Sequence, residues 1–246
     1  MRQASRPLCF SVFSVVAFFL VKLILASASP RRAEILRNAG IPFEVRAILL
    51  DETRRPGELR GDYVRRLALS KARAAANESG EIGDCLFIGA DTIVVAGDEI
   101  LGKPTSEPDA RRMLRLLNGA VHEVHTGLAV VRRPGASTGL LGRWHDRAPE
   151  ASARGAREIV EPGRSEGIID ETTRVTFAPL SDEEIESYIA TGEPFDKAGA
   201  YAIQGIAGRY ITRIDGCYFN VVGLPLARLW SLLCDFGWNS LTERAK

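Results

Sequence analysis

Cysteine and histidine are scarce in this chain. Its four cysteines, Cys9, Cys85, Cys217 and Cys234, are scattered through 246 residues and form no C-x-x-C pair. That pattern excludes a disulfide framework and a zinc ribbon, and it fits a reducing compartment. Two of the three histidines, His122 and His125, lie three apart in a strand-like run. On a strand they face opposite sides, so they cannot share a metal. No cysteine or serine arrangement points to a covalent intermediate. An excess of one charge is lacking too: the formal net charge is +1, which gives no bulk attraction to nucleic acid. What remains, with 46% hydrophobic residues, suits one globular domain with room for two lobes.

Long apolar runs are also missing, except at the start. MRQASRPLCFSVFSVVAFFLV has the outline of a signal peptide, and Ala26-Ser27-Ala28 supplies a cleavage-like site. Lys22 interrupts the run. Cleavage after Ala28 would also remove the strand and loop described next. The preferred expectation is an extension over 1–21 that is a mis-called start or disordered, with Val21 as the true start. A membrane anchor is the second reading.

Lys22 to Gly40 reads as strand, tight loop and helix. Leu23, Ile24 and Leu25 form a buried-strand run. Ala26 to Ser29 carries very small side chains, so its backbone can approach a ligand. Ser29 suits an N-cap, Pro30 the first helical position and Gly40 the C-terminal cap. Arg31 and Arg32 then fall in the first helical turn, where the macrodipole is already positive. Either they are solvated on a surface helix, or a bound phosphate at the helix start removes the conflict.

Ile41 to Val45 reads as a strand, and Glu58 to Ser79 as a helix with an inward stripe of Val64, Leu67, Ala68 and Ala75. Lys71 lies on that stripe. It either snorkels to water or points at an anion. Leu86 to Val95 is apolar on both faces, as in a central strand, yet it contains Asp91 and Thr92. A carboxylate there needs a cation, a proton or a metal. The alternatives are a structural salt bridge and a catalytic or metal-binding acid.

Gly97-Asp98 predicts a hairpin that brings Lys103 back toward Asp91. Ser106 caps a helix, Val121 to Val131 forms a strand, and Ser181 with Glu184 makes a capping box. Residues 132–170 are rich in Gly, Pro, Ala, Ser, Arg and Glu and read as a flexible insertion. Glu193 to Gly205 mixes Asp196, Lys197, Tyr201 and Gln204 with small residues. Leu226, Leu229, Trp230 and Leu233 are the expected inward face of a last helix.

SASPRR at 27–32, GADTIV at 89–94, LGKP at 101–104, DKAGAYAIQG at 196–205 and NVVGLP at 220–225 stand in this order. Together they closely resemble the Maf family of nucleotide pyrophosphatases, the septum-formation inhibitor proteins. The resemblance runs from Lys22 to Leu233. It implies a domain over 22–238 with an elongated, two-lobed mixed α/β sheet, flanking helices and a central cleft, similar to the inosine-triphosphate pyrophosphatases. It implies a cytoplasmic homodimer that binds neither nucleic acid nor membrane. The reaction implied splits a nucleoside triphosphate into monophosphate and pyrophosphate with a divalent cation, Mg or Mn.

The same resemblance assigns roles. Asp91 matches the proton acceptor and, with Glu44, a metal ligand. Lys71, Lys103, Arg31 and Arg32 are the phosphate cations, and Asp196 is a second acid. Ser29 and Lys197 join the substrate-binding set. Arg31, Thr92 and Gln204 match the subgroup acting on dTTP and UTP, and a glutamine amide can pair with a uracil or thymine edge. The alternatives are the subgroup acting on 7-methyl-GTP and a non-enzymatic regulator of cell division.

Overall fold

The computed structural model describes residues 21–134 and 165–238, apart from 79, 81 and 82. The extension over 1–20 and most of the expected insertion lie outside the described residues. Among the described residues seven strands form one mixed sheet: β1 (Lys22–Leu25), β2 (Glu44–Val45), β3 (Cys85–Ala96), β4 (Glu99–Leu101), β5 (Val121–Arg133), β6 (Glu166–Phe177) and β7 (Ile211–Asp215). The order is β2-β1-β3-β5-β6-β7, with β4 also on β3. β1 runs parallel to both neighbours, and the other pairings are antiparallel. Six α-helices among the described residues flank the sheet: α1 (Pro30–Asn38), α2 (Arg60–Asn77), α3 (Glu107–Leu117), α4 (Asp182–Ala190), α5 (Tyr218–Val222) and α6 (Leu226–Asp235).

Alternation along β3 assigns its two faces. Cys85, Phe87, Ile93 and Val95 pack with α2, against Val64, Ala68, Ala72 and Ala75. Leu86, Ile88 and Ala90 face the other way into a core with α1 and α6. Val94, on that same face, belongs to a second core with α3, α4 and Tyr201. One sheet face thus carries two apolar cores in succession, and Thr92 falls between them. This is the physical form of the expected two lobes.

Several local expectations hold. Ser181 and Glu184 form the reciprocal capping box, and Ser106 accepts from the Asp109 N–H. The Gly97-Asp98 turn joins Ala96 to Glu99 across the hairpin. Others need correction. Ser29 stands at the N-cap of α1, but its side chain makes no cap hydrogen bond; its N–H donates to Ser27 Oγ instead. β5 continues to Arg133 and β6 begins at Glu166, so both ends of the expected 132–170 insertion are strand. The pairing Val131↔Glu166 supplies the ladder that composition conceals. Trp230 is 40% exposed rather than inward, and its ring meets Trp238 edge-on.

The two histidines do face opposite sides. His125 bonds to Glu123 and Thr172. His122 is buried against Phe177 and Tyr201, with Nε2 2.8 Å from the Tyr201 hydroxyl. Burial holds its imidazole down to about 4, so it is neutral at physiological pH. It ties the 196–205 segment to the core.

Candidate active site

A break in strand pairing defines the site. β3 pairs with β5 from Cys85↔Arg133 to Val95↔Glu123. On its other edge β1 covers only Cys85–Ile88, and β4 covers only Val94–Ala96. Among the described residues, Gly89–Ile93 has no strand partner on that edge. β1 ends there because the Ala26-Ser27-Ala28-Ser29 loop turns away into α1, its last ladder bond running from Ala26 N to Ile88 O at 2.8 Å. The gap is therefore bordered by the start of α1 on one side and by the residues after β4 on the other.

Asp91 and Thr92 occupy this gap and point to opposite faces of the sheet. On the α2 face, Lys71 Nζ donates to Asp91 Oδ1 at 2.6 Å. The same nitrogen lies 2.6 Å from Glu52 Oε1. One ammonium thus sits between two carboxylates. Lys71 and Asp91 are both buried, whereas Glu52 reaches in from an exposed loop. Among the described residues, Asp91 Oδ2 makes no hydrogen bond.

Lys71 can reach Asp91 because α2 lies flush on the sheet. A Cβ added at Gly89 would stand 2.1 Å from the Ala68 carbonyl oxygen. One added at Gly127 would stand 2.2 Å from the Val64 carbonyl oxygen. Gly127 is the direct cross-strand partner of Asp91. Two side-chain-free positions therefore let the helix backbone press against the strands on either side of the carboxylate.

On the opposite face Arg32 is buried and held by three neighbours. Its Nε donates to Gly223 O at 2.8 Å, Nη1 to Ser27 Oγ at 3.1 Å and Nη2 to Thr92 Oγ1 at 3.1 Å. Burial lowers its pKa, and the charge of Asp91 opposes that shift. A guanidinium has five N–H groups, so one remains on each terminal nitrogen. Arg31 projects differently, and its Nη1 is 3.5 Å from Asp196 Oδ2. That ion pair links α1 to the 196–205 segment.

The sequence profile of the Maf family, described as Maf-like protein, matches residues 22–236. The chain belongs to the Maf family. Its relatives include the dTTP/UTP pyrophosphatase of Koribacter versatilis, 48% identical over 211 residues, covering 86% of this chain and 92% of that protein. The dTTP/UTP pyrophosphatase of Geobacter sulfurreducens is 48% identical over 209 residues, covering 85% and 93%. That of Hahella chejuensis is 41% identical over 216 residues, covering 88% and 92%.

Within this Maf fold the residues singled out from sequence fall, Glu44 apart, into two groups. Arg31, Arg32, Lys71, Asp91 and Thr92 gather at the gap. Lys103 follows β4 and is exposed, and neighbouring Gly102 accepts from Gly199 N at 3.0 Å. That bond ties the Asp196, Lys197 and Gln204 segment to the same border. Lys197 Nζ is turned to Asp196 and to the Glu193 carbonyl, while the Gln204 side chain is exposed and makes no hydrogen bond among the described residues.

Glu44 is the exception. It is exposed on β2 and paired to Lys22 at 2.8 Å. Through Ile24 it stands level with Phe87, four residues before Asp91 and two strands away. At ordinary strand spacing that is about 13 Å along the strands and about 10 Å across them. The structure therefore does not bring Glu44 to Asp91 as a shared metal ligand; Glu52 is the acid that it brings. Glu52 gives no signal beyond its place in an acidic tripeptide, because it lies in a polar loop without periodicity. Ser27 is visible only as part of SASPRR. Thr126 and Gly127 look like ordinary strand positions. Among the described residues no helix is long and apolar enough to cross a membrane.

Proposed function

We propose that this chain hydrolyses dTTP and UTP to the nucleoside monophosphate and pyrophosphate. The observation that carries the reading is Asp91, a buried carboxylate with one oxygen tied to Lys71 and the other without a hydrogen bond among the described residues. It stands at a sheet gap bordered by Arg31, Arg32 and Lys103. The three relatives named above, dTTP/UTP pyrophosphatases at 41–48% identity, support the substrate.

Attack on a phosphorus needs positioned cations and an activated water. Lys71 fixes the Asp91 carboxylate through Oδ1, which leaves Oδ2 to take the proton of the attacking water. The new bond joins that water oxygen to the α-phosphorus. The bond to the bridging oxygen breaks, and pyrophosphate leaves. The start of α1, with the two free N–H groups of Arg32, suits the triphosphate. Arg31 and Lys103 add charge at the border. The two carboxylates that converge on Lys71 bring hard oxygen donors to the gap. Hard oxygen donors joined by substrate phosphates suit magnesium or manganese. Asp91 and Glu52 would hold a divalent cation beside Lys71, and it would supply neutralisation of charge on the phosphate oxygens.

Base choice falls to the 196–205 segment, where the free amide of Gln204 offers a donor and an acceptor to a pyrimidine edge. Competition kinetics with UTP and 7-methyl-GTP in one reaction tests this. We expect kcat/KM to favour UTP by at least about tenfold, the scale of one matched polar contact. Preference for 7-methyl-GTP would reverse the assignment.

A further inference from the structure

The hydrogen bonds around Arg32 close into a ring. Arg32 Nη2 meets Thr92 Oγ1 at 3.1 Å, and Thr92 Oγ1 meets Thr126 Oγ1 at 2.9 Å. Thr126 Oγ1 donates to the Asn220 carbonyl at 3.1 Å. That carbonyl also accepts from Gly223 N at 2.9 Å, and the Gly223 carbonyl accepts from Arg32 Nε at 2.8 Å.

The direction of every bond follows from the two ends. A guanidinium only donates and a carbonyl only accepts. The Thr126 hydroxyl hydrogen is committed to Asn220, so Thr126 must accept from Thr92. The Thr92 hydrogen is then committed to Thr126, which leaves the Thr92 oxygen facing Arg32 as an acceptor. The ring lies in the polar band between the two apolar cores, and Thr126 and Asn220 are fully buried in it. Asn220 is clamped further by Nδ2 bonds to the Val124 carbonyl and to Thr173 Oγ1, both at 2.9 Å.

We infer that Thr126 is a positioning residue for substrate binding, acting through Thr92 to aim the guanidinium of Arg32. Thr126 touches no substrate. It fixes the polarity of Thr92, and Thr92 with Gly223 holds Nε and Nη2, so the free N–H groups of Arg32 present one fixed geometry. The inference rests on Arg32 as a phosphate ligand, as proposed above.

The test is steady-state UTP hydrolysis by Thr126→Val, Thr126→Ser and Arg32→Gln, with a thermal melt of each. Valine keeps the shape and removes the relay; serine keeps the relay. We expect Thr126→Val to raise KM about tenfold, the scale of one buried hydrogen bond, with kcat changed by less than about threefold. Thr126→Ser should restore KM. Thr126→Val added to Arg32→Gln should cost nothing further. If Thr126→Val does not fold, Thr92→Val breaks the same ring and should give the same KM effect. Arg32→Gln impaired with Thr126→Val at wild-type KM would overturn the inference alone. So would a full additive loss in the double variant, or a serine variant no better than valine. Wild-type kinetics in Arg32→Gln would overturn the reading of Arg32 itself.

Discussion

Asp91→Asn is expected to give a folded protein that turns over UTP at least about a hundredfold more slowly than wild type. The amide has the shape of the carboxylate, and its oxygen can still accept from Lys71. Removing one partner of a buried ion pair is normally severe, because it strands the other charge. Here Lys71 keeps Glu52 at 2.6 Å, so the ammonium is not stranded. The fold should therefore survive while the proton acceptor is lost. Steady-state kinetics beside a circular-dichroism melt separate the two effects. Near-normal kcat in a folded variant would remove Asp91 from the chemistry and leave its contact with Lys71 as a structural salt bridge.

Gly127→Ala should be a severely damaging small substitution in the sheet. The new Cβ would lie 2.2 Å from Val64 O, 2.3 Å from Val64 C and 2.7 Å from Arg65 N. All three are backbone atoms of α2, so no side chain can rotate out of the way. The helix must lift from β5. Overpacking of this kind costs about 3 kcal/mol at the upper end of its usual range. For a chain of this size that corresponds to a fall in Tm of roughly 6–12 °C. Lifting α2 also withdraws Lys71 from Asp91, so activity should fall at temperatures where the variant remains folded. A Tm within about a degree of wild type would mean that helix and sheet are not in contact at this glycine.

Much of this arrangement is legible in the amino-acid sequence. The α1 start is readable from Ser29-Pro30 and its small-residue approach, the hairpin from Gly97-Asp98, and the α4 cap from Ser181 and Glu184. These are local signals, set by residues a few positions apart. The need of Asp91 for a cation is readable too, because a carboxylate in an apolar strand is costly unless compensated. Sequence leaves the identity of that cation open between Lys71 and others, and the packing of α2 on the sheet decides it.

What stays hidden depends on contacts across the sheet. Thr126 matters because register places it opposite Thr92, and Gly127 because register places it opposite Asp91. Neither register nor helix approach is written in a single strand. Glu52 reaches Lys71 from a loop whose path no periodicity describes. Glu44 misleads for the converse reason: it lies on a strand, but β1 separates that strand from β3. Gly167 to Asp170 is hidden by the composition of the stretch before it, although the ladder with β5 runs through it without a break.

Cleavage between the α and β phosphates is tested most directly by the products of UTP hydrolysis. Purified protein with magnesium and UTP, its products separated by ion-exchange chromatography, should yield UMP and pyrophosphate in equal amounts from the first time point. UDP and orthophosphate in their place would contradict it.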